Sequence, residues 1–384
     1  MNPARRRNLR RTAIAVIASV AIAVGWIAAA RVHHFPHEPK PPVAASDIAS
    51  SADALLVRFA ERSRWEGAAL ISKDETILWE RAIGDEISTD TPFSIASLTK
   101  PLTAFVLLDL AESARLSFDD PAAAHIPELT GAYAGGVTIS QLLSMRADLP
   151  LYWPLRFAAR AQLAPDSVTT DALVEQLRRF PADGEDDESF RYSNSAYVLL
   201  ALIAERASAR PFEALLREVI FEPYGLGNAG SFGADDDSLV PAGHLPVQRF
   251  GVTGGVGLIR LPRWDYRAVR GATGVFASVR DLSRWGNALN RLRAENRGLD
   301  LTSVAGEEDA YRMGLQIMRL DGRTVLECPG EDPGYYGFMA WVPEQSIFVA
   351  MLSSTDFQLA ASNYDLGREL LDLALGLPYE AVRP

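Results

Sequence analysis

The sequence predicts an α+β fold: one mixed sheet built from strands at both ends of the chain, with a mainly helical lobe inserted between them. Three observations carry this. Apolar, β-rich runs lie near the start, between residues 67 and 82, and again from about residue 258 to 352. The text between them, from about Ser117 to Val240, reads as helices joined by long polar loops. With 384 residues, 48% of them hydrophobic, the chain can bury one large core rather than a string of small ones.

A helix is expected over Ile48–Arg62, then a hairpin whose strands, Gly67–Lys73 and Thr76–Ala82, flank the turn Lys73-Asp74-Glu75. Ser97 opens a helix running to about Ala114, with Leu102, Phe105, Val106 and Leu110 on one face. Pro101 is tolerated there, because amides of the first turn have no intrahelical partner to lose. Thr138-Ile139-Ser140-Gln141-Leu142-Leu143 has the signature of a capped helix start. Pro165–Phe180 is amphipathic, Pro181–Ser189 is an acidic loop, and Tyr197–Ala207 and Phe212–Ile220 read as two further helices. Strands at Val275–Ser278, Met313–Met318, Thr324–Glu327, Gly337–Trp341 and Ile347–Leu352 follow, and a helix over Leu359–Leu375 closes the chain. A ligand site is expected in a cleft between sheet and lobe.

Ahead of these elements, Arg5, Arg6, Arg7, Arg10 and Arg11 precede an uncharged apolar run of 19 residues, Thr12 to Ala30. That is enough for a membrane span and long for the apolar part of a signal peptide. Ala28-Ala29-Ala30 resembles a cleavage site, so cleaved signal and uncleaved anchor both stay open, the length favouring the anchor. In either case the arginines stay cytoplasmic. The expected location is therefore the cell membrane, with a single span and the domain on the outer, periplasmic or extracellular side, or secretion if the N-terminus is removed. Residues 31–46, with His33, His34, His37 and several prolines, read as a solvated linker. Residues 47–384 then form the functional domain, with the helical lobe at about 117–257.

Charge and composition exclude several function classes. Residues 1–30 hold five arginines and no acids, so the remainder carries a net charge of −16 against −11 for the whole chain, which argues against a nucleic-acid partner. Cys328 is the single cysteine, so no internal disulfide forms. No His, Cys, Asp and Glu set has metal-ligand spacing, and Gly254-Gly255-Val256-Gly257 lacks dinucleotide spacing and reads as a flexible loop. No metal or other cofactor is expected. His125 and His244, the histidines outside the linker, have no recognisable catalytic setting, and no G-x-S-x-G occurs, which disfavours serine–histidine–acid hydrolysis.

What remains is Ser97-Leu98-Thr99-Lys100. Residues three apart share a helical face, so the serine hydroxyl and the lysine amine can meet. A serine becomes a nucleophile when a neighbouring base takes its proton, and a lysine kept neutral by burial and by the helix dipole can be that base. Composition singles this lysine out: of 38 basic residues only Lys40, Lys73 and Lys100 are lysines. Arginine, used everywhere else, cannot give up its proton in a protein.

With these residues and those around them, the chain resembles the serine β-lactamase and penicillin-binding-protein superfamily, in particular its class C-like branch of esterases, D-aminopeptidases and DD-peptidases. Ser97-Leu98-Thr99-Lys100 matches the S-x-x-K motif and Tyr192-Ser193-Asn194 the Y-x-N motif. Glu222-Pro223-Tyr224-Gly225-Leu226 and Gly271-Ala272-Thr273-Gly274-Val275-Phe276-Ala277-Ser278 resemble two further family segments, and the likeness covers roughly residues 47–377. The resemblance implies an antiparallel sheet of the β-lactamase/transpeptidase kind and a small-molecule ester, amide or peptide substrate. It implies Ser97 as nucleophile, Lys100 as its base and Tyr192 as proton shuttle. Asn194 would hydrogen-bond the substrate and hold Lys100, while Cys328, Gly330 and Glu331 would line the substrate side.

Two departures from the family pattern stand out. Where a third motif, K-T-G or H-x-G, is expected, this chain has Cys328-Pro329-Gly330, so a neutral thiol stands where a cation is usual. The backbone amide near Glu331, with that of Ser97, can still form an oxyanion hole. The loop Leu142-Leu143-Ser144-Met145-Arg146-Ala147-Asp148-Leu149 has Met145 and Asp148 where the family has histidine and glycine. These departures leave a second reading open, a pseudo-enzyme that keeps the fold to bind a cell-envelope ligand or partner. Arg270 is one candidate for the missing cation. The negative charge, with Glu331 and Asp332 near the mouth, favours neutral esters or amides over anionic substrates.

Overall fold

A computed structural model describes residues 47–150, 169–180, 189–248, 256–261, 265–295, 310–355 and 360–377. In chain order the elements are α1 (Ile48–Ser63), β1 (Gly67–Lys73), β2 (Thr76–Ile83), β3 (Phe93–Ser94) and α2 (Thr99–Glu112). Five helices follow, α3 (Ala122–His125), α4 (Tyr133–Gly136), α5 (Ile139–Leu143), α6 (Thr170–Arg178) and α7 (Asn194–Ser208), then α8 (Phe212–Leu216). The rest is β4 (Gly230–Ser231), β5 (His244–Gln248), β6 (Val256–Arg260), β7 (Val275–Ala277), α9 (Val279–Ala294), β8 (Ala310–Arg312), β9 (Leu315–Leu320), β10 (Arg323–Asp332), β11 (Tyr335–Val342), β12 (Ile347–Ser353) and α10 (Ala360–Ala374).

The fold is α+β. Seven strands form one sheet in the order β2-β1-β12-β11-β10-β9-β8, and every neighbouring pair runs antiparallel, so the sheet is not mixed. It joins the two ends of the chain because β1 pairs with β12, Gly67 opposite Ser353. Side chains alternate along each strand, and both faces are covered. Ala69, Ile71, Val349 and Met351 pack with Leu55 and Phe59 of α1 and Leu366 and Leu370 of α10. Ala68, Leu70, Ala350 and Leu352 pack with residues of α2, α7 and α9. A strand buried on both faces reads as a continuous apolar run, which is why Gly67–Ser72 and Ile347–Leu352 show no polar alternation.

Local signals placed several elements well. Thr138 and Gln141 form a reciprocal capping box at α5, and Ser278 and Asp281 form another at α9. Elsewhere tertiary pairing moved the boundaries. Val275–Ala277 is not in the main sheet but pairs with β3 and β4 in a separate three-stranded sheet. The run expected as one strand over Met313–Met318 is a turn at Met313 and Gly314, both with positive φ, between β8 and β9. Strand β10 continues past Glu327 to Asp332 because β11 pairs with it along that length. Of the expected glycine loop, Val256 and Gly257 instead begin β6.

The Thr12–Ala30 run, the linker with its histidines, residues 181–188 of the acidic loop and the expected helix starts at Pro165 and Leu359 lie outside the described residues. The expected membrane location is corrected. Among the described residues no helix is long and apolar enough to cross a membrane. The longest of them, α1 and α9, have 16 residues each, about 24 Å at 1.5 Å per residue against a hydrocarbon core of about 30 Å.

Candidate active site

The site forms where the turn ahead of α2 rests on the sheet. Ala96–Leu98 is a single 3₁₀ turn, so Ser97 precedes the α-helix rather than beginning it. Gly330 of β10 lies directly opposite Gly337 of β11, and this glycine pair makes a flat shelf beneath the turn. A methyl group at Gly330 would lie 2.9 Å from Ser97 N and 3.0 Å from the Ile95 carbonyl, closer than side chains approach backbone. Ala96 takes a left-handed φ of +48°, rarely adopted by a residue with a β-carbon. That conformation turns the chain sharply from β3 into the Ser97 turn.

Lys100, one helical turn on, is fully buried. Its Nζ donates to Ser97 Oγ at 2.8 Å and to the Ala272 carbonyl at 3.0 Å. It also lies 5.0 Å from the centre of the Tyr192 ring. Burial strips water from the ammonium and pulls the lysine from 10.5 to about 8, against the opposing influence of Cys328 and Asp332.

The Tyr192 hydroxyl is 2.9 Å from Ser97 Oγ. Burial holds this phenol above its ordinary value of 10.0, so it keeps its proton at neutral pH. Met145 brackets it in the chain, since the Met145 carbonyl accepts from the Arg191 amide at 2.9 Å and its sulfur from the Ser193 amide at 3.4 Å. Asp148 forms an ion pair with Arg191 at 2.8 Å. Both unusual residues of the 142–149 loop therefore hold the segment that carries Tyr192.

Cys328 is buried at the foot of the site, its thiol 3.5 Å from the Ser97 carbonyl. Burial pushes this thiol up to about 12, so it is uncharged at neutral pH. Arg270 does not replace the missing cation, because its guanidinium lies 3.4 Å from Glu205 and 3.5 Å from Glu213. Glu327, between Leu326 and Cys328, points to the opposite face, where it accepts from Arg368 at 2.8 Å and Tyr364 at 2.6 Å. Asn194 is half-buried at the first residue of α7, Gly330 is buried against the Ser97 turn, and Glu331 is half-buried beside it.

The geometry thus brings Ser97, Lys100, Tyr192, Cys328 and Gly330 together. The hydrogen bonds of Lys100 among the described residues go to Ser97 and Ala272, not to Asn194. Sequence reasoning missed Ala272 as the lysine's acceptor, because a backbone carbonyl leaves no residue-type signal. It also missed the tie from Asp332 to Ser94 and Thr273, which joins positions 238 and 59 residues apart.

Similarity to known proteins agrees with this architecture. Penicillin-binding protein 4* of Bacillus subtilis (strain 168) is 31% identical over 183 residues, 45% of this chain and 39% of that protein, so the chain spans well under half of that relative. Esterase EstB of Burkholderia gladioli is 28% identical over 289 residues, 65% of this chain and 71% of that one. Among solved structures, the octameric penicillin-binding protein homologue from Pyrococcus abyssi shares the fold with a TM-score of 0.68 at 21% identity, covering 85% of this chain and 77% of that one. The Beta-lactamase family model matches residues 52–372, nearly the whole described fold from α1 to α10. The chain belongs to the Beta-lactamase family, a family of serine hydrolases.

Proposed function

We propose that this protein hydrolyses a neutral ester or amide through an acyl-enzyme on Ser97, with Lys100 as general base, the whole of residues 47–384 serving as one catalytic domain. One observation carries the reading: Ser97 Oγ lies within hydrogen-bond reach of both Lys100 Nζ, at 2.8 Å, and the Tyr192 hydroxyl, at 2.9 Å. Neutral Lys100 takes the hydroxyl proton as Oγ bonds to the carbonyl carbon, and the carbonyl electron pair moves to oxygen. The Ser97 amide and the backbone amide near Glu331 stabilise that oxyanion. As the tetrahedral species collapses, the proton passes from Lys100 through the neutral Tyr192 phenol to the leaving group. Water then repeats the steps in reverse to free Ser97. Asn194 offers its amide to the substrate.

Neutral substrates suit the uncharged Cys328, which offers no cation to a substrate carboxylate. An aromatic edge supports an apolar group beside the reacting bond. Phe190, 48% exposed, packs 5.3 Å from Tyr311, which packs 6.1 Å from Tyr192. That EstB is an esterase points the same way.

Incubation with a fluorophosphonate probe, followed by mass mapping, tests the reading. Labelling at Ser97 that is absent in Ser97→Ala is expected, and wild-type protein left unlabelled where a related hydrolase reacts would overturn it. The uncharged Cys328 favours one rival, a binding-only protein. Ligand retention in Ser97→Ala, with no turnover by the wild type, would decide for that rival.

A further inference from the structure

Asp332 ends β10, four residues beyond Cys328, and the reaction steps above leave it without a role. It is buried, 5% exposed. Its Oδ2 accepts from Ser94 Oγ at 2.7 Å and from Thr273 Oγ1 at 2.6 Å. These two residues belong to the two segments that frame the reacting groups. Ser94 lies three residues before Ser97, and its Oγ also accepts a long contact, 3.4 Å, from the amide of left-handed Ala96. Thr273 follows Ala272, whose carbonyl receives the Lys100 ammonium. The same segments are joined again where the Ile95 amide donates to the Val275 carbonyl at 3.0 Å.

We propose that Asp332 is a positioning residue for acylation: through Ser94 and Thr273 it holds the Ser97 turn and the Lys100 acceptor in one frame, and it sets a fixed negative charge behind the lysine. The inference rests on the reading of Ser97 and Lys100 given above.

Two hydroxyls can be joined by a neutral acceptor at less cost than by a buried carboxylate. Burial pushes Asp332 up to about 6, while Thr273 and Ser94 hold it down, so it is ionised at neutral pH. The thiol and the phenols packed around the pair carry no charge there. Cys328 of β10 is pushed up to about 12, and burial raises Tyr192, Tyr197 of α7 and Tyr266 above the ordinary phenol value. Tyr335 of β11 donates to the Pro241 carbonyl at 2.6 Å, and Glu327 faces away toward Arg368. Asp332 therefore adds a negative charge that opposes the lowering of Lys100, which burial brings to about 8.

The chain has three lysines, Lys40, Lys73 and Lys100, so protein carrying [13Cε]lysine yields three signals that Lys40→Arg and Lys73→Arg assign. Asp332→Asn is expected to lower the proton affinity of Lys100 about tenfold. It is also expected to slow fluorophosphonate labelling of Ser97 by about 10–100-fold at the high-pH plateau. A Lys100 titration unmoved in Asp332→Asn, or labelling at the wild-type rate, overturns the proposal. Should that variant fail to fold, Thr273→Val keeps the carboxyl group and removes one tie. It is expected to slow labelling at the high-pH plateau, and unaltered labelling in it overturns the proposal. If wild-type Ser97 is never labelled, the proposed function fails, while the Lys100 titration in Asp332→Asn still decides the role of Asp332.

Discussion

Acylation of Ser97 should rise with pH through a midpoint near 8, and the size of the rise follows from the burial of Lys100. The lysine works as a base only when neutral, so activity is lost as pH falls and it gains its proton. At pH 7 a lysine with its ordinary value of 10.5 is neutral in about 1 molecule in 3,000, whereas one at about 8 is neutral in about 1 in 10. Burial therefore supplies about 300-fold more of the active form at neutral pH. The second-order rate of fluorophosphonate labelling, followed from pH 6 to 9.5, should climb about tenfold per pH unit at the low end and level off above 8. Lys100→Arg retains a cation that cannot deprotonate, and should lower the plateau by about 10²–10⁴-fold. A profile flat across this range, or an arginine variant that labels at the wild-type rate, would show that Lys100 is not the base.

Three further outcomes follow from packing. Gly330→Ala places a methyl 2.9 Å from Ser97 N; displacing that turn should cost about 100-fold in kcat and about 1–3 kcal/mol of stability, read by steady-state kinetics and urea unfolding. Arg368→Met leaves Glu327 buried and fully unexposed without its cation, and should destabilise the fold by about 3–5 kcal/mol in the same unfolding assay. Phe190→Ala opens the aromatic edge beside Tyr311 and should reduce kcat/KM for benzoyl esters about 3–10-fold relative to acetyl esters of the same alcohol; an unchanged ratio would remove Phe190 from the substrate path.

Much of the architecture was legible because its causes are local. The hairpin at 67–83 announces itself by two β-rich runs around a short polar turn, and α5 by the Thr138 and Gln141 box. Membrane placement was not legible in this way, since it was inferred from a run outside the described fold. The extent of β10 was also hidden, because Cys328-Pro329-Gly330 reads as the end of a strand. Pro329 is tolerated because β9 pairs with β10 only as far as Glu327, so from there on β10 has a strand on one side only.

By itself the sequence determined the pairing of Ser97 with Lys100, since a spacing of three on a turn entering a helix leaves those side chains little choice but to meet. Tertiary structure decided the rest: that Ala272 receives the lysine, that Met145 steadies the segment carrying Tyr192, that Gly330 and Gly337 form the shelf, and that Asp332 ties two distant segments together. Each of those contacts joins residues about 50 to 240 positions apart or involves a backbone atom, or is a glycine pair that only strand register sets. A hydrogen bond to a carbonyl or a shelf made of absent side chains has no residue type to announce it. Only the folded sheet brings the partners within reach.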